Sequence, residues 1–131
     1  IAFRPHVHGI PGKPRNHPES ILVNQYVSFM GAATKFGHNY LPVPGLFVDL
    51  FDQTHWQLIE AKAAVTRDKM RMALGQLEDY RRFYFSRHPS LAVLLPERPT
   101  SSCTELLIDN HVSVIWRTRN GSFRTLRWQT D

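Results

Sequence analysis

Two apolar stretches, residues 46–51 and 56–63, are joined by the four polar residues 52–55, and charged side chains stand inside both stretches. Short apolar segments with a polar connection of that length predict an antiparallel β-hairpin. In such a hairpin successive side chains point to opposite faces, so Glu60 and Lys62 share a face, their Cα atoms roughly 6 to 7 Å apart. Asp49 stands on the preceding strand, where antiparallel pairing brings it toward Glu60. An unpaired charge is costly to bury in such apolar surroundings. The pattern therefore points either to a functional cluster or to charges that solvate an exposed hairpin, with Lys62 pairing Glu60.

Other segments fit around this hairpin. A helix is expected to begin near Pro18, Glu19 and Ser20 and to run to Gly31, with Ile21, Leu22, Tyr26, Phe29 and Met30 at helical spacing. Residues 36–44, rich in Gly and Pro, read as a loop with a short strand around Tyr40 and Leu41. Thr66 is placed to cap a long helix through about Arg87, whose buried stripe is Met70, Ala73, Leu77, Tyr80 and Tyr84; His88 and Pro89 end it. Residues 91–95 form a continuous apolar run, as in a strand covered on both faces. Ser101 or Ser102 caps a short helix through Leu107. Strands at 112–117 and 123–128 then flank a type I′ turn at Asn120-Gly121. The order is helix, β-hairpin, helix, strand, short helix, β-hairpin, which predicts an α/β fold with a central mixed β-sheet flanked by helices.

Length and composition bound the possibilities. The 131 residues suffice for one hydrophobic core, and 42% hydrophobic with 21% charged residues is ordinary for a globular chain. Residues 1–18, rich in Pro, His and basic residues, are expected to form a basic arm, and residues 19–131 the folded domain. His6 and His8 form an H-x-H pair that lacks an evident third metal ligand. A formal charge of +5 favours polyanionic partners, because Lys and Arg that neutralise phosphates release condensed counterions. Cys103 is the single cysteine, which excludes an internal disulfide framework and suits a reducing cytoplasm. No apolar run approaches the roughly 18 to 20 residues that span a bilayer. The chain begins at Ile1 rather than Met, so additional domains of a longer polypeptide are expected.

Paired carboxylates repel unless a cation lies between them, and a hard divalent ion such as Mg²⁺ suits oxygen donors. Asp49, the ten residues after it and Glu60-Ala61-Lys62, placed on a hairpin after a first helix, resemble the signature of the PD-(D/E)XK nuclease superfamily, which has the restriction-endonuclease-like fold. The next helix carries Gln76-Leu77-Glu78-Asp79-Tyr80, similar to a Q-x-x-x-Y element of several branches of that superfamily. The resemblance covers about residues 19–95. Val48, rather than proline, precedes Asp49.

The resemblance implies a Mg²⁺-dependent DNA endonuclease, with Mn²⁺ as substitute, acting in restriction, mobile-element defence or repair. It implies Asp49, Glu60 and the Ala61 carbonyl as metal ligands, supplemented by Glu19, with Asp52 as a rival ligand. Lys62 assists the attacking water, and Gln76 joins the catalytic set. Gln76 and Tyr80 are four apart on one helical face, facing either the site or the core. Arg67, Lys69, Arg71, Tyr80, Arg117 and Arg119 are the candidate nucleic-acid contacts; for the basic residues a solvated face is the alternative. Because one site cuts one strand at a time, a homodimer is expected for duplex cleavage. The competing expectation is an inactive DNA-binding or assembly module of the same fold.

Overall fold

A computed structural model describes residues 17–129, so the H-x-H pair and nearly all of the basic arm lie outside the described residues. The elements are α1 (His17–Met30), β1 (Leu50–Asp52), β2 (Gln57–Ala61), α2 (Arg67–Arg81), β3 (Ser90–Leu95), α3 (Ser101–Asp109), β4 (Val112–Arg117) and β5 (Phe123–Leu126). One five-stranded sheet carries them in the order β1-β2-β3-β4-β5. The outer pairs β1/β2 and β4/β5 are antiparallel, while β2/β3 and β3/β4 are parallel. Helices cover both faces of this mixed sheet. The α/β class expected from the order of elements is therefore observed.

Alternation along the strands separates two cores. Leu58, Val93, Val112 and Val114 face α2 and α3 and pack with Met70, Ala73, Leu77, Cys103 and Leu107. Ile59, Ala61, Ala92, Leu94 and Ile115 face the other way and pack beneath Leu22, Val23 and Tyr26 of α1. The central β3 is buried from Leu91 to Leu95, which explains its unbroken apolar sequence. Each Leu or Ile fully withdrawn from water contributes on the order of 1.5 to 3 kcal/mol.

Several boundaries differ from the sequence expectation, each with a visible cause. Strand β1 has three residues, because residues 46–48 pair instead with the preceding loop: Leu41 N–H donates to the Leu46 carbonyl and Val48 N–H to that of Asn39. Asp52 belongs to β1 rather than to the turn, which closes with Trp56 at φ 56°. Helix α2 stops at Arg81, not near Arg87, because Tyr84 turns back to meet Phe51, ring centres 5.3 Å apart. Bonds from Phe83 N–H to the Tyr80 carbonyl and from Tyr84 N–H to that of Arg81 finish the last turn.

Thr100, not Ser101 or Ser102, caps α3, which extends to Asp109. The link between β4 and β5 is not a two-residue type I′ turn, since Asn120 lacks the positive φ that turn requires. It is a longer loop in which Thr118 N–H donates to the Ser122 carbonyl at 2.8 Å and the Asn120 amide oxygen accepts from the Ser122 N–H and both loop hydroxyls. Gly121 supplies the left-handed residue at φ 87°. Strand β5 ends at Leu126 because the chain then leaves the ladder, with Trp128 stacking on His111.

Candidate active site

The β1/β2 register pairs Leu50 with Ile59, which sets Asp49, the residue just before β1, opposite Glu60. Asp49 bridges the strands through its side chain: Oδ2 accepts a hydrogen bond of 2.8 Å from the Ala61 N–H. Within β2 and just beyond it, Glu60 Oε2 and Lys62 Nζ lie 3.5 Å apart. Asp49 and Glu60 thus stand at facing positions of the two strands, with Lys62 against Glu60, and all three side chains are buried. Lys62 is fixed from the other side as well, its N–H donating to the Leu94 carbonyl at 3.0 Å.

The backbone contributes to the same place. In a strand the N–H and C=O of one residue point to the same edge. Because the Ala61 N–H meets Asp49, the Ala61 carbonyl is directed toward the Asp49 side of β2 as well. Two carboxylates and one carbonyl thus form a hard oxygen donor set, the chemistry that Mg²⁺ prefers, and Mg²⁺ retains several waters rather than demanding an all-protein cage. The donor set fits such an ion. Within this trio of side chains two negative charges meet one positive charge, which favours a further cation electrostatically.

Other predicted residues fall in different places. Among the described residues no three His, Cys, Asp or Glu side chains gather as a metal-binding group, so Glu19 does not join Asp49 and Glu60 in one cluster. Helix α1, which carries Glu19, packs on the sheet face opposite α2. Asp52 also stands apart: it pairs with Gln57, and its carboxylate accepts from the His55 N–H at 2.9 Å and meets His55 Nδ1 at 2.8 Å. That engagement removes Asp52 as a rival for the Asp49 position.

On α2, Tyr80 is 5% exposed and belongs to the core, so it is not an open contact surface for nucleic acid. Gln76 is half-buried, and its side-chain carbonyl oxygen is buried with no hydrogen-bond partner among the described residues. A buried amide oxygen without a donor is uncommon enough to require a reason. The basic residues near the start of α2 are more open: Arg67 is exposed and donates to Ser102 Oγ at 2.7 Å, Lys69 is half-buried, and Arg71 is exposed with Asp68 3.9 Å away. Arg119 is exposed on the β4–β5 loop, whereas Arg117 is half-buried and lines a groove of about 610 Å³ beside α1.

Sequence reasoning missed a second polar group on the α1 face, where Asp52 and His55 line a cavity together with Tyr26 and Arg127. Burial, reinforced by the Asp52 charge and opposed by Arg127, pushes the Tyr26 phenol up to about 12. The D-x-x-H spacing across the hairpin turn was the available signal. It is common in turns, where Asp accepts local N–H bonds.

No family model matches this chain, and neither a curated protein nor a solved structure matches it significantly. Among the described residues, no helix is long and apolar enough to cross a membrane.

Proposed function

We propose that this domain is a restriction-endonuclease-like, metal-dependent deoxyribonuclease that hydrolyses phosphodiester bonds. The observation that supports this reading is the junction of Asp49, Glu60 and Lys62 across β1 and β2, tied by the 2.8 Å bond from the Ala61 N–H to Asp49 and the 3.5 Å approach of Lys62 to Glu60. Asp49, Glu60 and the Ala61 carbonyl are the residues that would hold Mg²⁺, or Mn²⁺ in its place. When bound, such an ion supplies Lewis acidity, lowering the pKa of a water and offsetting charge on the attacked phosphoryl group.

The chain's own groups account for the remainder. Lys62, a compact ammonium on a flexible stem, orients the attacking water and stabilises negative charge that grows on the phosphoryl oxygens. Gln76 has an unengaged amide oxygen able to accept from that water. Arg67, Lys69, Arg71 and Arg119 supply backbone-phosphate contacts, and the net charge of +5 acts in the same direction. A homodimer would cut both strands of a duplex.

A second reading, an inactive DNA-binding or assembly module, is favoured by the lack of a third acidic, His or Cys ligand among the described residues. The discriminating experiment incubates duplex and single-stranded DNA with the protein in Mg²⁺, Mn²⁺ or EDTA. Cleavage in metal that is lost in Glu60→Gln supports the nuclease. Salt-sensitive binding without cleavage supports the module.

A further inference from the structure

A cavity of about 210 Å³ lies beneath α1 on the sheet face opposite α2. One wall is apolar and partly aromatic: Phe29 and Met30 of α1 with Ile115 and Phe123 of the sheet. Phe123 fixes this wall by ring contacts to Tyr26 at 5.2 Å and Phe29 at 5.4 Å. The other wall is polar, formed by Tyr26, Asp52, His55, Gln57, Thr125 and Arg127.

The polar wall is preorganised. Asp52 is buried and accepts from both the backbone N–H and the ring of His55. Because a carboxylate only accepts, His55 donates from Nδ1 and leaves Nε2 as the ring nitrogen not used by Asp52. The half-exposed imidazole is thereby held in one orientation from a buried anchor.

This composition discriminates among ligands. A metal ion is disfavoured, since the wall sets the Arg127 guanidinium against a single carboxylate, Asp52. A phosphate-like dianion would meet the Asp52 carboxylate, and an organic cation would meet Arg127. A neutral planar group with both donors and acceptors suits the Gln57 amide, the Thr125 and Tyr26 hydroxyls, His55 Nε2 and the Arg127 guanidinium, with its ring faces against Phe29 and Phe123. The volume is below the roughly 300 to 1,000 Å³ of pockets for drug-sized ligands, so it admits one ring system rather than a whole nucleotide. We infer that this cavity is a binding pocket for a single nucleobase-like heterocycle, distinct from the Asp49–Glu60–Lys62 cluster. The base has two sources with the same chemistry: a free nucleoside, or a base turned out of a nucleic-acid strand.

The test follows the His55 ring signals by NMR while the full chain is titrated with adenosine, guanosine, cytidine or thymidine. In parallel, the fluorescence of 2-aminopurine within a DNA oligonucleotide is recorded with added protein. His55→Ala, followed by the ring signals of Phe123 in the same cavity, and Arg127→Ala change exposed positions and should leave the fold intact, each weakening binding about tenfold, as loss of one or two hydrogen bonds implies. His55 shifts without a fluorescence change identify a free nucleoside. A fluorescence rise that Arg127→Ala abolishes identifies a base turned out of DNA. Neither response, or responses unchanged in both variants, overturns the proposal. These readouts involve no cleavage, so they stand or fall separately from the nuclease reading.

Discussion

Asp49 Oδ2 accepts the Ala61 N–H at 2.8 Å, a side chain replacing the backbone partner that β1 does not extend far enough to provide. The bond makes Asp49 both a structural closure of the hairpin and a ligand candidate, and substitutions separate the two roles. Asp49→Ala leaves a buried N–H without an acceptor and should cost about 1 to 3 kcal/mol, read by urea unfolding. Asp49→Asn keeps an acceptor, so its stability should lie near that of the parent. Its metal-dependent DNA cleavage should nevertheless fall by about a hundredfold or more. Full cleavage by Asp49→Asn would remove Asp49 from the mechanism.

Glu60 and Lys62 pose the same question with opposite charges. Both side chains are at most 5% exposed, so solvent screens their attraction little. Removing only the ammonium, as in Lys62→Ala, takes a cation 3.5 Å away from the buried Glu60 carboxylate and should destabilise by about 3 to 5 kcal/mol. The double change Glu60→Gln with Lys62→Met removes both charges and should recover most of that loss, because neutral replacement of a buried pair is often tolerated. Denaturant melts of the three proteins test this. A double variant as unstable as Lys62→Ala would show that the pair itself holds the hairpin. Neither variant should cleave DNA.

The site was more legible than the boundaries of its scaffold. Charges at 49, 60 and 62 inside apolar segments carried enough information because strand alternation is rigid: once the hairpin pairs, Glu60 and Lys62 have no choice of face. Element ends obey tertiary packing instead. The helical stripe of α2 continues on paper to Tyr84, but Phe51 draws that ring into the core and the helix ends three residues earlier. Tyr80 and Gln76 share a face by spacing, yet burial assigns the phenol to the core and leaves the amide oxygen unengaged. Asp52, the weaker rival by spacing, was reassigned by its position opposite Gln57 and by one local partner, His55.

Helix caps give a graded comparison. Thr66 Oγ1 accepts the Lys69 N–H at 3.4 Å, beyond the usual range for such bonds, whereas Thr100 Oγ1 accepts the Cys103 N–H at 3.2 Å. Thr→Ala at an N-cap costs about 0.5 to 2 kcal/mol. Thr66→Ala should fall near the low end, and Thr100→Ala should cost more, since Cys103 beside it is buried. Equal losses in thermal melts would mean that cap length does not set the difference.

Tyr26 gives the domain an alkaline limit. Its phenol is pushed up to about 12, chiefly by burial and then by Asp52. An unfolded tyrosine titrates near 10. Folding therefore favours the protonated phenol, and its contribution is complete below pH 10. Between about pH 10 and 12 the unfolded chain loses that proton first, so stability falls through this window, by on the order of 2 kcal/mol. Tyr26→Phe has no such proton and should show a shallower decline over the same interval. Burial also raises Tyr84, so some slope will remain in the variant. Identical pH profiles for Tyr26→Phe and the parent would exclude Tyr26 as the source.

Metal binding offers a readout that does not require turnover. A ligand that binds only the folded state stabilises it by RT ln(1 + [L]/Kd), about 2.7 kcal/mol at a hundredfold excess over Kd. For a domain of this size each kcal/mol raises Tm by roughly 2 to 8 °C. Saturating Mg²⁺, with ionic strength matched by NaCl, should therefore raise the Tm of the parent by several degrees. Asp49→Asn and Glu60→Gln each neutralise one carboxylate of the donor set, so the increment should largely disappear in both. Arg71→Ala alters an exposed residue of α2 outside that set and should retain it. An increment that survives in Asp49→Asn and Glu60→Gln would locate the ion elsewhere. An absent increment in the parent, together with salt-sensitive DNA binding, would favour the inactive module.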